Sequence, residues 1–162
     1  GYVMPAWYDI VGRDLMDQED GEGIKRSAKS IMELIEREVQ RGIAYQNIVL
    51  VGFSQGCAMA LYIGLRLPHP LAGIIALSGY LPLAMSLTLE KHPANQSTPI
   101  FMAHGTYDPV VALDRAQASY ALLEKLGYQV DWNEYPMEHS VNHEELDDIS
   151  RFLQTVLPKR TT

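Results

Sequence analysis

Apolar positions follow two different periods along this chain, and the two alternate. Over residues 20–41, Ile24, Ala28, Ile31, Ile35 and Val39 recur at three- and four-residue steps, the period of one helix face, and Gly42 follows as a stop. Residues 47–53 are a short apolar run rich in β-branched side chains, which predicts a strand buried on both faces of a parallel sheet. Residues 55–67 are rich in Ala and Leu and predict a helix that ends before Pro68. The alternation continues with strands over 73–77 and 99–103, a helix over 113–126 closed by Gly127, and a strand over 129–135. A last amphipathic helix over 143–157 puts Leu146, Ile149, Phe152, Leu153 and Val156 on one side. Strands separated by helices or long crossovers imply an α/β fold, a mostly parallel sheet with helices on both faces.

A length of 162 residues suits a single domain over residues 1–162, given a usual size of roughly 100–150. The chain is 47% apolar and 20% charged, enough to bury a core. Its net charge of −7, with no Lys/Arg cluster to offset it, argues against nucleic acid and anionic surfaces as partners. Residues 67–89 contain no Asp, Glu, Lys or Arg, yet Pro68, His69, Pro70 and Pro82 interrupt them, so no stable membrane insertion is expected. The single cysteine, Cys57, cannot form an internal disulfide and points to a reducing, cytoplasmic setting. The chain opens at Gly1 directly in an apolar stretch (Tyr2, Val3, Met4), which reads as a cut made inside a domain.

Candidate chemistry begins where the first strand meets a helix. Gly52, Ser54 and Gly56 form a G-x-S-x-G pattern with an apolar strand before it and a helix after it. Ser54 is expected on a sharp, strained turn, where side chains at positions 52 and 56 would collide. The Gln55 N–H, at the helix start, is the expected oxyanion donor. A hydroxyl needs a base, and the base an orienting acid. Asp108 follows the third strand and His139 the fourth, so three candidates in the order Ser, Asp, His fall at the carboxyl ends of three strands.

The stretches from Met4 to Ile10 (MPAWYDI), Gly52 to Gly56 (GFSQG), Leu77 to Tyr80 (LSGY), His104 to Val111 (HGTYDPVV) and Glu134 to His139 (EYPMEH) resemble the phospholipase/carboxylesterase family. That family includes bacterial carboxylesterases and acyl-protein thioesterases. The resemblance implies an α/β-hydrolase fold and hydrolysis of small-molecule esters or thioesters, without metal or organic cofactor. Carried across, Ser54 is nucleophile, Asp108 orienter and His139 base. From the residues themselves, the 80–96 segment beginning Tyr80 and Leu81 reads either as one wall of an acyl pocket or as a surface crossover that covers the sheet, and Trp7 and Met4 either line that pocket or pack in the core. Two departures stand out. Glu138 occupies a position where the family has Gly, and the family's upstream strand and His-Gly-Leu-Gly-like oxyanion loop have no counterpart here. The strand over 47–53 is therefore expected to be an unpaired edge, and loss of one oxyanion donor is expected to cost roughly 10²–10³ in rate.

Other residues have plainer readings. His104 reads as structural, Cys57 as packed within its helix, Ser78 as core or loop, Asp114 as a helix opener and Asp131 as an exposed strand position. His139 and His143 have zinc-like spacing but no third ligand. The leading expectation is a carboxylic-ester hydrolase. Its rivals are a thioesterase or lysophospholipase on the same scaffold, and a non-catalytic module that self-associates as a homodimer through its open edge.

Overall fold

The computed structural model describes residues 4–9 and 20–159. Tyr2, Val3 and Ile10 lie outside them. Helix α1 (Gly21–Gln40) starts at Asp20, whose carboxylate accepts the Gly23 N–H at 2.8 Å. It ends at Arg41, with Gly42 at φ 102° just beyond. After a 3-10 turn (Tyr45–Asn47) come strand β1 (Val49–Phe53), helix α2 (Gln55–Arg66) and strand β2 (Gly73–Leu77). Helix α3 (Ala84–Glu90), strand β3 (Ile100–Gly105), helix α4 (Leu113–Lys125), strand β4 (Val130–Tyr135) and helix α5 (His143–Val156) complete the described order.

The four strands pair in sequence order and all in parallel. Alternate residues of the central strands face opposite sides. Ile74, Ala76, Ile100 and Met102 join Leu61 and Leu65 of α2 and Leu123 of α4 in one core. Ile75, Leu77, Phe101 and Ala103 join Tyr135 of β4 and Phe152 of α5 in the other. Helix α1 lies against α2, burying Ile24, Ala28 and Ile35 on Ala58, Met59 and Ile63. Helices on both faces of a parallel sheet match the expectation.

Three local expectations need correction. Strand β1 is not buried on both faces: Val51 and Phe53 are 58% and 40% exposed. They share the face of Ile75 and Leu77, where α5 packs chiefly over β2 and β3 and Val49 alone of β1 joins the core beneath it. Strand β3 runs on through His104 and Gly105, because those residues still pair with Glu134 and Tyr135 of β4. The 80–96 segment is not an open wall throughout, since α3 occupies its middle. This helix has only seven residues, and its Met85 and Leu89 are 95% and 91% exposed. Among the described residues, no helix is long and apolar enough to cross a membrane.

Hydrogen bonding carries the strand ladder past the strand ends, and this aligns the loops. The Ser54 N–H reaches Leu77 O at 2.8 Å, Ser78 N–H reaches Ala103 O at 2.9 Å, and Thr106 N–H reaches Tyr135 O at 2.9 Å. Each loop thus leaves its strand while still held to the next strand.

Glycines settle how closely these loops approach. A Cβ on Gly52 would overlap the Gly56 carbonyl, as the elbow reading requires. At Gly56 the reading fails: a Cβ there would meet only Trp7 Nε1, at 3.8 Å. Gly79 instead completes the constraint. A Cβ there would come within 2.7 Å of Cys57 Sγ and of the Ser54 carbonyl oxygen. We expect Gly79→Ala to cost about 1–3 kcal/mol by overpacking, while Gly56→Ala, inside α2, stays neutral or slightly stabilising. Denaturant unfolding of the two variants checks the contrast, and equal losses would contradict it.

One buried acid sets a pH dependence. Glu145 of α5 is fully buried, and neither of its carboxyl oxygens has a hydrogen-bond partner. Burial pushes its pKa from 4.5 up to about 7. The folded state therefore keeps a proton that the unfolded state has released, and stability declines as pH rises through that window. Glu145→Gln removes the titration. We expect it to raise stability at pH 8 by about 1–2 kcal/mol and to change little at pH 4.5. Thermal unfolding at both pH values measures this, and a Gln variant less stable at pH 8 would contradict it.

Candidate active site

Ser54 caps α2 at φ 58° and ψ −115°, a left-handed conformation that a non-glycine residue adopts only at a cost of about 1–3 kcal/mol. The surrounding close contacts enforce it: Gly52 lies under the Gly56 carbonyl, and Gly79 lies under the Ser54 carbonyl. The result lifts the hydroxyl off the end of β1. The N–H groups of Gln55 and its first-turn neighbours have no carbonyl one turn earlier to bond, so they remain free for an anion.

His139 lies four residues beyond β4, in the turn before α5. Its Nδ1 is 2.6 Å from Asp108 Oδ2, and its Nε2 is 3.0 Å from Ser54 Oγ. An ionised carboxylate can only accept, so Nδ1 carries the ring proton and Nε2 accepts from the Ser54 hydroxyl. The three side chains predicted from three separate loops form one continuous chain of hydrogen bonds.

Asp108 is held on its other oxygen as well. The Val110 and Val111 N–H groups donate to Oδ1 at 2.8 and 2.9 Å. Burial opposes its ionisation, but the His139 bond and these two amide bonds outweigh that and hold its pKa below the ordinary value. The Asp108 loop is itself braced by a residue read from sequence only as structural. His104 is fully buried, and its Nε2–H donates to Val111 O at 2.7 Å. The same nitrogen lies 3.5 Å from Asp108 Oδ2. The Asp and His loops also clasp each other. Tyr107 N–H donates to Met137 O at 3.1 Å, and a Cβ on Gly105 would overlap the Met137 and Glu138 carbonyl oxygens. Gly105 was visible in the sequence as part of HGTYD, but nothing there gave its role.

Gln55 does more than offer an amide. Its side-chain oxygen accepts the Trp7 N–H at 3.1 Å and its Nε2–H donates to Tyr8 O at 2.9 Å, tying residues 4–9 to the elbow. Trp7 is 44% exposed and lines an apolar hollow of about 200 Å³ beside Leu50, Val51 and Met59. Tyr80 and Leu81 are buried instead. The Tyr80 hydroxyl pairs with that of Tyr8 at 2.7 Å, Arg115 stacks on its ring, and Leu81 N–H donates to Ser119 Oγ. Cys57 is fully buried with its thiol pushed up to about 12 by burial, which leaves it unreactive. Ser78 is buried at φ 53°, and Glu138 is exposed. His139 lies outside α5, so the helical spacing with His143 does not exist. Among the described residues no group of three or more His, Cys, Asp or Glu could hold a metal.

The profile of the phospholipase/carboxylesterase family matches residues 1–157. Acyl-protein thioesterase 1 of Gibberella zeae is 45% identical over 168 residues, covering 99% of this chain and 72% of that protein. Its namesake in Neurospora crassa is 46% identical over 167 residues, covering 98% and 68%. Among solved structures, Arabidopsis thaliana SOBER1 superposes with a TM-score of 0.90 at 28% identity, over 98% of this chain and 77% of that one. Zea mays acyl-protein thioesterase 2 gives 0.82 at 27% identity, over 94% and 73%. Match and superposition both extend over nearly the whole sequence, so the chain belongs to the phospholipase/carboxylesterase family of hydrolases and has its α/β-hydrolase-type fold.

Proposed function

We propose that this chain is a serine hydrolase that cleaves acyl thioesters, and oxoesters by the same steps, through an acyl-Ser54 intermediate. The observation that carries the reading is the unbroken contact from Asp108 through His139 to Ser54, at 2.6 and 3.0 Å. His139 Nε2 takes the hydroxyl proton as Ser54 Oγ attacks the acyl carbonyl carbon. The Gln55 N–H receives the developing oxyanion. The imidazolium returns its proton to the leaving thiolate or alkoxide, and water repeats the sequence to release the acid. Asp108 holds the imidazole in the tautomer that leaves Nε2 free.

Thioesters come first because the relatives at 45% and 46% identity are named acyl-protein thioesterases. Carboxylic esters, the leading expectation from the residues alone, become the second substrate class. Trp7 is the proposed acyl contact, since its ring keeps exposed surface beside an apolar hollow. Tyr80, through its hydroxyl, holds Tyr8 next to Trp7, and the buried Leu81 is no acyl contact in this reading. A cytoplasmic setting belongs to the same proposal and rests on the lone, buried cysteine.

Labelling by a fluorophosphonate probe tests the nucleophile: Ser54→Ala is expected to abolish it, and equal labelling of variant and parent would refute the assignment. Asp108→Asn is expected to slow labelling by about 10⁴-fold, because the imidazole then adopts the wrong tautomer. A panel of matched thioesters and oxoesters of increasing chain length is expected to favour thioesters in kcat/KM. Oxoester preference throughout would reverse the substrate order. A chain that fails to label and runs as a stable dimer by light scattering would replace catalysis with the module reading.

A further inference from the structure

The residue immediately before the nucleophile has no part in the hydrogen-bond chain, yet it touches the base. Phe53 ends β1 on the sheet face that α5 leaves uncovered at this edge, and it is 40% exposed. Its ring centroid lies 4.8 Å from that of His139, with the planes inclined by 45°. The ring is more covered than exposed, and the imidazole is part of what covers it.

We propose that Phe53 is a positioning residue for His139, whose ring electrons stabilise the imidazolium and fix the imidazole's tilt between Asp108 and Ser54. A cation within about 6 Å of an aromatic centroid is attracted to the negative ring face. The imidazole side chain is 17% exposed, so this attraction acts where water screens it incompletely. Other groups around the imidazole also set its charge. Asp108 lies at 2.6 Å, and His104 Nε2 is 3.5 Å from the same carboxylate oxygen. The Ser54 hydroxyl lies at 3.0 Å, and the exposed Glu138 is the preceding residue. The same groups remain in a variant at position 53, so a shift of the midpoint reports the ring together with the tilt it imposes. In kinetic terms the inference rests on the proposed role of His139 as base; in titration terms it does not.

The substitution must keep the imidazole covered. Phe53→Ala would open it to water, and hydration of the cation would oppose the loss of the ring. Phe53→Leu keeps most of the cover and removes only the aromatic electrons. The measurement is the midpoint of the His139 ring resonances in a pH titration by NMR with labelled histidine, assigned through His139→Gln among the five histidines. Phe53→Leu is expected to lower the midpoint by about half a unit, and Phe53→Trp to restore or exceed the parent value. The acid limb of the labelling rate against pH is expected to move in the same sense. An unchanged midpoint in Phe53→Leu, or a Trp variant that titrates like the Leu variant, overturns the proposal. Should the Leu variant not fold, the Trp variant against the parent decides, and a midpoint below the parent's overturns it. A chain that never labels at any pH refutes the proposed hydrolase, while the NMR titration still judges Phe53.

Discussion

Everything at the site depends on the parallel ladder continuing one residue beyond each strand. Ser54 donates to Leu77 O and Thr106 to Tyr135 O, the last carbonyls of β2 and β4, while Ser78 donates to Ala103 O before β3 ends, so each loop leaves its strand still tied to the next. Side chains far apart in sequence are thereby brought to a common rim before any of them bonds to another. A slip of one residue between β1 and β2 would turn every side chain of β1 to the opposite face. The same slip would carry Ser54 away from His139. The two apolar cores are what forbid it, because Ile74 and Ile75 each fit only the face they occupy.

Strain at Ser54 is the second dependency. A serine at φ 58° is costly alone, and the fold sustains it by leaving no room to relax. Gly52 and Gly79 bring backbone and thiol into contact beneath it, while Gln55 fastens the 4–9 segment alongside. Asp108 is fixed by two amides and braced through His104 and Val111. Carboxylate, imidazole and hydroxyl are therefore held in one arrangement by the fold itself, as the proposed catalysis requires.

Much of this was legible in the sequence, and the reasons are local. The runs at 73–77 and 99–103 announce strands because buried parallel strands need little but apolar or β-branched residues, and 129–135 announces one by its alternation. Ser54, Asp108 and His139 were legible because each sits just after such a run. What escaped was set by distant partners. Gly79 is constrained by Cys57, which no motif links to it. The exposure of Val51 and Phe53 depends on how far α5 reaches across the sheet. Helix α3 was missed because Met85 and Leu89 present their side chains to solvent, so its apolar spacing carries no burial signal.

Cys57 lies against the glycine under Ser54, sealed from solvent. Oxygen atoms added to that sulfur would occupy the space that Gly79 vacates, forcing the bend that holds residue 54 to loosen. The lone thiol is thus guarded by the same tight fit it helps to create. Oxidative damage at this position has to wait for α2 to lift from the sheet, so the rate at which the sulfur is modified is a clock for how often the elbow opens.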